Sequence, residues 1–399
     1  MRGHDTADSP RVLWVSHGFG YNGDLLYFGE IFRALTKLVP GTEIAVDPAD
    51  GHANPDHLAL LPLLKLHKIS RSRTVGASAY DASVAVPWPG FAAQIIKHPP
   101  DVLVTIEFTP VAMLAMAASL VAGQTRRLLL VESDPAARGG SKHPVLRAMK
   151  RWAVRRADLI QTNTEAGRRY LVEQLNASPD RIRVAPYLTS RPPGPEPLPK
   201  LREGPVRLLF VNSLTERKGL PEALTAIAAC PSEVRAQMCL TIIGDGPLRE
   251  RCEALVAGLH LVEPIAFLGA LPYCELGAHY AQADVLLIPS LADYRSLAGF
   301  EGLGYGLALL ASAHDGASIE TVGDHATGFI VEPRDASAFA ARLCELVRDR
   351  ALLLRFQQNA LALYQDRFCV EQIAANLARS IEHLIHPASA VPEELHGHA

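Results

Sequence analysis

Near the end of the second half, the stretch PSLADYRSLAGFEGLGYGLALLAS (Pro289–Ser312) carries two acids, Asp293 and Glu301, at a spacing suited to binding chemistry. If Ser296 caps a helix beginning at Leu297, Glu301 falls in its second turn and Asp293 in the loop before it. The backbone N–H groups of Ser296 and Leu297 would then point at that loop and form an anion site at a helix start. Of the two carboxylates beside it, one could accept from sugar hydroxyls and the other from ribose hydroxyls. A capped helix with two solvated acids fits the same spacing. A second set follows the apolar run Leu208–Ser213, in the loop Thr215–Gly219. Arg217 and Lys218 there stand at a strand's carboxyl end, where cations neutralise a diphosphate. A basic pair in a loop is also ordinary solvated surface.

A third set, GFGYNG, places Gly18, Gly20 and Gly23 after the apolar run that begins at Val12. It matches G-x-G-x-x-G, and Asp47 closes the next strand where a dinucleotide site holds a ribose-binding acid. Bare backbone there lets a phosphate approach a helix N-terminus, and the same glycines serve a plain strand-to-helix turn. Gly244–Leu248, GDGPL, repeats the theme of strand end, turn and helix.

Parallel strands alternating with helices would position such loops. Near-continuous apolar runs predict strands at Val12–Val15, Glu43–Asp47, Val102–Ile106, Leu128–Glu132, Leu159–Asn163 and Ile182–Tyr187 in the first half. The second half shows them at Leu208–Ser213, Leu240–Gly244, Ile265–Leu268, Val285–Pro289, Leu307–Ser312 and Phe329–Glu332. Helical periodicity lies between them, as in Leu25–Leu38, Arg168–Leu175, Pro221–Ala229 and Ala338–Val347. The expected fold class is α/β, with two doubly wound, Rossmann-like parallel sheets facing across a cleft. The expected divisions are residues 1–190, a linker at 191–204 within a five-proline stretch, a second domain at 205–370, a helix at 371–386 returning to the first domain, and a flexible tail at 387–399.

A formal net charge of -3 over 399 residues gives no global field for nucleic acid, and none is expected as a partner. The charge is unevenly spread: Gln124–Arg191 holds 14 Lys/Arg against 6 Asp/Glu. Residues 142–156 read as a basic amphipathic helix, suited to peripheral contact with an anionic membrane or to a solvated helix face. Six cysteines without a C-x-x-C pair read as reduced thiols of a cytoplasmic protein. The first ten residues lack the apolar core of a signal peptide, and Val111–Ala122 is too short to span a bilayer.

Several long segments, in order, resemble the retaining glycosyltransferases of the GT-B fold, family 4 (glycosyl transferases group 1). They are RRADLIQTNTEAGRRYLVEQLNASPDRIRVAPY, LTIIGDGPLRERCEALVAGLHLVEPIAFLGAL and DGASIETVGDHATGFIVEPRDASAFAARLCEL. The resemblance implies transfer of a sugar from a UDP- or GDP-linked donor to a glycan, lipid-linked or small-molecule acceptor. It also implies retained anomeric configuration, no metal and no cofactor. The family's paired acids fall on Asp293, which would reach the donor sugar, and Glu301, which would hold the ribose. The diphosphate lysine falls on Lys218, the phosphate-covering loop on Gly18 and Gly20, and the base-lining residues on Phe267 and Leu268.

Departures accompany these matches. Asn212 and Ser213 replace the family's Gly-Arg, and Asp293-Tyr294-Arg295-Ser296 replaces its E-G-F-G. Arg217 or Arg295 is expected to supply the displaced guanidinium, with Ser213, Ser296 and Leu297 beside the donor. A degenerate relative that binds nucleotide or partner without turnover, and a nicotinamide-dependent enzyme using GFGYNG, are the alternatives.

Overall fold

A computed structural model describes residues 9–15, 29–45, 66–70, 83–87, 90–131, 144–197, 203–261, 265–293 and 295–386. Two compact units result: one holds the described residues through Leu188 together with those from Val370 onward, the other Thr189–Cys369. The glycines at 18, 20 and 23, Asp47, Lys142, Tyr294 and the stretch 387–399 lie outside the described residues.

The first unit contains strands β1 (Val12–Val15), β2 (Thr42–Ala45), β3 (Leu66–Ser70), β4 (Ser83–Pro87), β5 (Val102–Ile106), β6 (Arg126–Val131), β7 (Leu159–Thr162) and β8 (Ile182–Val184). Six of them form a parallel sheet in the order β2-β1-β5-β6-β7-β8, and β3 pairs antiparallel with β4. Strands such as VLWV and VLVTI are buried along their whole length, as required of parallel strands covered on both faces. The helix Val370–Ile385 belongs to this unit, burying Ile373, Leu377, Ile381 and Leu384. Arg183 donates to the Asn376 carbonyl at 2.9 Å and Ser380 to Gln161 at 2.6 Å, fixing that helix over β7 and β8.

The second unit contains β9 (Val206–Val211), β10 (Met238–Ile243), β11 (Ile265–Gly269), β12 (Val285–Ile288), β13 (Ala308–Ser312) and β14 (Gly328–Val331). They form one parallel sheet in the order β11-β10-β9-β12-β13-β14. From β9 the chain winds outward to one edge, then returns to β12 beside β9 and winds to the other. The β9/β12 junction is therefore the topological switch point, where open α/β sheets bind ligands beyond the strands' carboxyl ends. Phe210, Leu224, Leu240, Leu310 and Phe339 fill the core on one face, and Leu286, Phe300, Leu309 and Phe368 fill it on the other.

The first unit departs from the strand expectations at several strand ends and in one added pair. β2 begins one residue before Glu43, β6 begins two before Leu128, β8 ends three before Tyr187, and the antiparallel pair of β3 and β4 stands where no strand is expected. β3 (LHKIS) holds two apolar residues and β4 (SVAVP) a run of three before a proline, and no short turn signature joins them, so periodicity gives little sign of them. At the Pro-rich stretch, Ser190 and Pro192 are buried within the second unit.

Candidate functional site

Two loops meet at the switch point. After β9, Glu216–Lys218 forms a single 3-10 turn that ends at Gly219, whose φ of 67° is left-handed. A Cβ on Gly219 would lie 1.9 Å from the Pro289 carbonyl oxygen, so this turn can close on the β12 loop only with glycine there. The Leu291 amide then donates to the Arg217 carbonyl at 2.8 Å, stitching the two loops together.

This places three of the expected residues in one cluster. Lys218 Nζ lies 2.5 Å from Asp293 Oδ2, and Arg217 Nη1 lies 2.9 Å from the same oxygen. The side chains of Lys218 and Asp293 are only 9% and 6% exposed, so water screens them little. Burial pushes the Asp293 carboxyl upward, but the Lys218 ammonium and Arg217 guanidinium hold it below the usual carboxylate range. Burial pushes the Lys218 ammonium downward, the Asp293 charge opposes this, and Arg217 adds to it. Asp293 thus stands as the counter-charge to two cations.

The backbone of Asp293 is held as firmly as its side chain. Its amide donates to the His314 carbonyl and its carbonyl accepts from Gly316, each at 3.0 Å. The helix Leu297–Gly304 starts where the spacing predicted, with Ser296 at its N-cap position, but the Ser296 hydroxyl makes no capping bond. Asp315 accepts instead, taking the amides of Ser296 at 3.1 Å and Ala317 at 3.0 Å. The Ser296 amide, expected to face an anion, is thus satisfied by a neighbouring carboxylate. Burial first, then the Asp293 charge, raises the Asp315 carboxyl to about 6, against the two amides and Lys218. The other Asp315 oxygen is buried without a hydrogen-bond partner.

Glu301 lies in the second turn of this helix, its carboxylate bracketed by hydroxyls. Tyr280 donates to Oε2 at 2.5 Å and Ser190 to Oε1 at 2.8 Å. Burial raises its pKa, and the two hydroxyls and the Lys218 charge oppose the rise. The Lys218 charge therefore acts at Asp293, Asp315 and Glu301 alike.

The remaining expected residues sit apart from this cluster. Arg295 forms a two-pronged pair with Glu320, Nε to Oε1 at 2.9 Å and Nη2 to Oε2 at 3.1 Å. Its side chain is 2% exposed, and its guanidinium lies 4.1 Å from the centre of the Phe300 ring. A guanidinium committed in this way fits a scaffold better than a phosphate ligand. Ser213 is exposed beyond β9, its amide on the Asn212 side chain. Leu297 is half-buried. On edge strand β11, Phe267 packs toward the core while Leu268 is exposed. Gly18 and Gly20 lie outside the described residues, so the dinucleotide alternative does as well.

Sequence reasoning missed Asp315, Ser190, Tyr280 and Glu320. Asp315 reads as a turn residue in Asp-Gly, and Ser190 as the first residue of a linker. Their roles arise from contacts across 19 and 111 positions of chain.

Comparison with known proteins bears on this arrangement. The family described as "Glycosyl transferases group 1" matches residues 198–362, and "Glycosyl transferase 4-like domain" matches residues 39–187. A 2-deoxystreptamine glucosyltransferase of Streptomyces kanamyceticus is 30% identical over 249 residues, 59% of this chain and 63% of that protein. The chain spans less than two-thirds of the length of the first curated relatives that it matches. Sucrose-phosphate synthase from Thermosynechococcus elongatus superposes with a TM-score of 0.67 at 18% identity, covering 95% of this chain and 100% of that one. HepE of Anabaena, solved in complex with UDP, superposes with a TM-score of 0.68 at 17% identity, covering 93% and 99%. At such identities these structures show the fold, which is GT-B. With both halves matched and two parallel sheets in place, the chain belongs to the glycosyl transferases group 1 family.

Proposed function

We propose that the chain is a retaining glycosyltransferase that takes a sugar from a UDP- or GDP-linked donor without a metal ion. The observation that carries this reading is the convergence of Lys218 and Arg217 on Asp293 at the switch point, with Glu301 one helical segment further on. Transfer breaks the bond between the sugar's anomeric carbon and a phosphate oxygen, leaving a nucleoside diphosphate with added negative charge. A buried and a partly buried cation with a carboxylate between them are built to take up that charge, and a preorganised cation there lowers the barrier by a few kcal/mol. Asp293 is assigned to the sugar hydroxyls and Glu301 to the ribose. The guanidinium role falls to Arg217 rather than Arg295, because Glu320 occupies the Nε–Nη2 edge of the latter, whose side chain is only 2% exposed. A relative named as a glucosyltransferase and a neighbour solved with UDP support the donor class.

The acceptor is proposed to be a glycan, a lipid-linked sugar or a small metabolite, met in the cytoplasm or at the inner membrane face. The helix Pro144–Arg156 favours a surface encounter. It exposes Val145, Leu146 and Met149 beside Arg147, while Ala153 and Val154 anchor it in the core. Lys150 and Arg151 are partly engaged, with Tyr170 and the Gln174 carbonyl. No helix among the described residues is long and apolar enough to cross a membrane. Binding to anionic vesicles in low salt, released by high salt, tests the contact. Salt-independent absence of binding removes it.

The deciding experiment is a screen of nucleotide sugars for donor hydrolysis and transfer. Turnover of one donor supports the proposal. Tight UDP or GDP binding with no turnover of any donor supports the binding-only reading, which Asn212-Ser213 in place of Gly-Arg favours.

A further inference from the structure

The Glu301 carboxylate has an unexpected neighbour. Ser190 is the second described residue of its unit, in the stretch that enters from the preceding one, and it is buried. Its hydroxyl lies 2.5 Å from the Tyr273 hydroxyl and donates to Glu301 Oε1 at 2.8 Å. A hydroxyl donates once, so Ser190 accepts from Tyr273, and the chain of bonds runs Tyr273 to Ser190 to Glu301.

The surrounding backbone keeps Ser190 in place. Tyr305 donates to the Pro192 carbonyl at 2.6 Å, and the Arg191 guanidinium sits 4.9 Å from the Tyr305 ring centre. Tyr305 stacks on Tyr280 at 5.6 Å, and Tyr280 holds the other oxygen of Glu301. A Cβ on Gly277 would meet the Pro193 carbonyl at 2.1 Å, so the strap lies directly on the helix Tyr273–Gln282. Ser190 is pinned from both sides.

We infer that Ser190 is a positioning residue for nucleotide recognition, its hydroxyl holding the Glu301 carboxylate in the orientation that receives the ribose hydroxyls. This rests on the nucleotide-sugar reading above. An ionised carboxylate offers about four acceptor positions, and Ser190 and Tyr280 together take one on each oxygen. One position on each oxygen remains, which matches the two vicinal hydroxyls of a ribose. Without Ser190 the carboxylate can rotate about its last torsion, and it loses a hydrogen bond that opposes its protonation. The charged or titratable groups that act at Glu301 are Tyr280, Tyr305 and Lys218.

The test is titration of the full chain with UDP, GDP and their 2′-deoxy forms, across pH, in wild type, Ser190→Ala and Ser190→Thr. The wild type prefers the ribose form. Ser190→Ala weakens the ribose form by about tenfold and the deoxy form by less than about threefold, so the preference collapses. In that variant affinity also starts to fall at a higher pH on acidification, because Glu301 protonates sooner. Ser190→Thr, which keeps the hydroxyl, restores both. Should Ser190→Ala fail to fold, Tyr273→Phe removes the bond that sets the Ser190 hydroxyl and must shift the preference in the same direction. An unchanged ribose preference and pH profile in these variants overturns the inference. A wild type with no ribose preference overturns it also. A wild type that binds neither UDP nor GDP instead refutes the nucleotide-sugar reading itself.

Discussion

Asp293→Asn removes the one negative charge on which two cations converge. Oδ2 accepts from Lys218 at 2.5 Å and from Arg217 at 2.9 Å, and the three side chains are 6%, 9% and 18% exposed. Breaking a buried ion pair by removing one partner costs about 3–5 kcal/mol. Two effects reduce this: the asparagine carbonyl still accepts from one cation, and Lys218 can shed its proton. The expected loss is about 2–3 kcal/mol at pH 6. Lys218 already has a folded pKa below its ordinary value through burial, and without the Asp293 charge it falls further. Between the two folded values the native wild type keeps the proton and the native variant has lost it. Unfolding of the variant then takes up a proton, so its stability gains on the wild type as pH rises through that window. The deficit is therefore largest below that window and shrinks as pH rises through it. All three tryptophans precede residue 189, so their fluorescence follows the first unit as an internal control. Amide exchange in β12 and β13 under increasing urea reads the second unit. A variant within about 0.5 kcal/mol of wild type at pH 6, or a deficit that grows with pH, refutes the reasoning.

Asp315→Asn keeps an oxygen for the Ser296 and Ala317 amides but cannot titrate. The wild-type carboxyl is raised from 3.8 to about 6, so its stabilising protonation is lost as pH rises through that interval. Wild-type stability relative to Asp315→Asn should fall by about 2–3 kcal/mol between pH 4 and pH 7, and a flat difference would contradict the assignment. Arg217→Ala should weaken UDP or GDP binding by about tenfold or more with little loss of stability, by calorimetry and thermal melts. Arg295→Ala should do the reverse, costing about 3 kcal/mol by leaving the largely buried Glu320 carboxylate, 10% exposed, without its cation. Gly219→Ala should cost more than about 2 kcal/mol in urea unfolding, because its positive φ and the Pro289 carbonyl both exclude a Cβ. At pH 8 a thiol reagent should label exposed Cys274 first and spare Cys230 and Cys252, buried thiols raised to about 12 and 11; mass spectrometry of labelled peptides decides.

The sheets were legible because a parallel strand buried on both faces leaves an uninterrupted apolar run, as in Val285–Ile288 and Ala308–Ser312. The start of the helix at Leu297 was legible from local chemistry, a small polar residue before an apolar turn. The partners of its carboxylates were not. Asp293 answers to Lys218, 75 positions earlier, and to Arg217 just before it, and Glu301 to a residue 111 positions earlier. No local pattern encodes such separations. Arg295 shows the same limit, since in sequence it is a candidate for the displaced guanidinium and in three dimensions a buried partner of Glu320. β3 and β4 were missed for a different reason: two apolar residues in one and a run of three in the other are too short to distinguish from a loop.

The ribosome reaches residues 370–385 only after the whole of the second unit has been made, yet the first unit is unfinished without them. Until they arrive, the surfaces that receive Ile373, Leu377 and Ile381 are bare, and Gln161 and Arg183 lack the Ser380 and Asn376 contacts that tie them down. The second unit, whose described residues all fall between Thr189 and Cys369, can therefore close before the helix at 370–385 is made, and the earlier-made unit must wait for that helix. Any shortened version that stops at Cys369 would keep the candidate site's residues and forfeit the stability of the other unit.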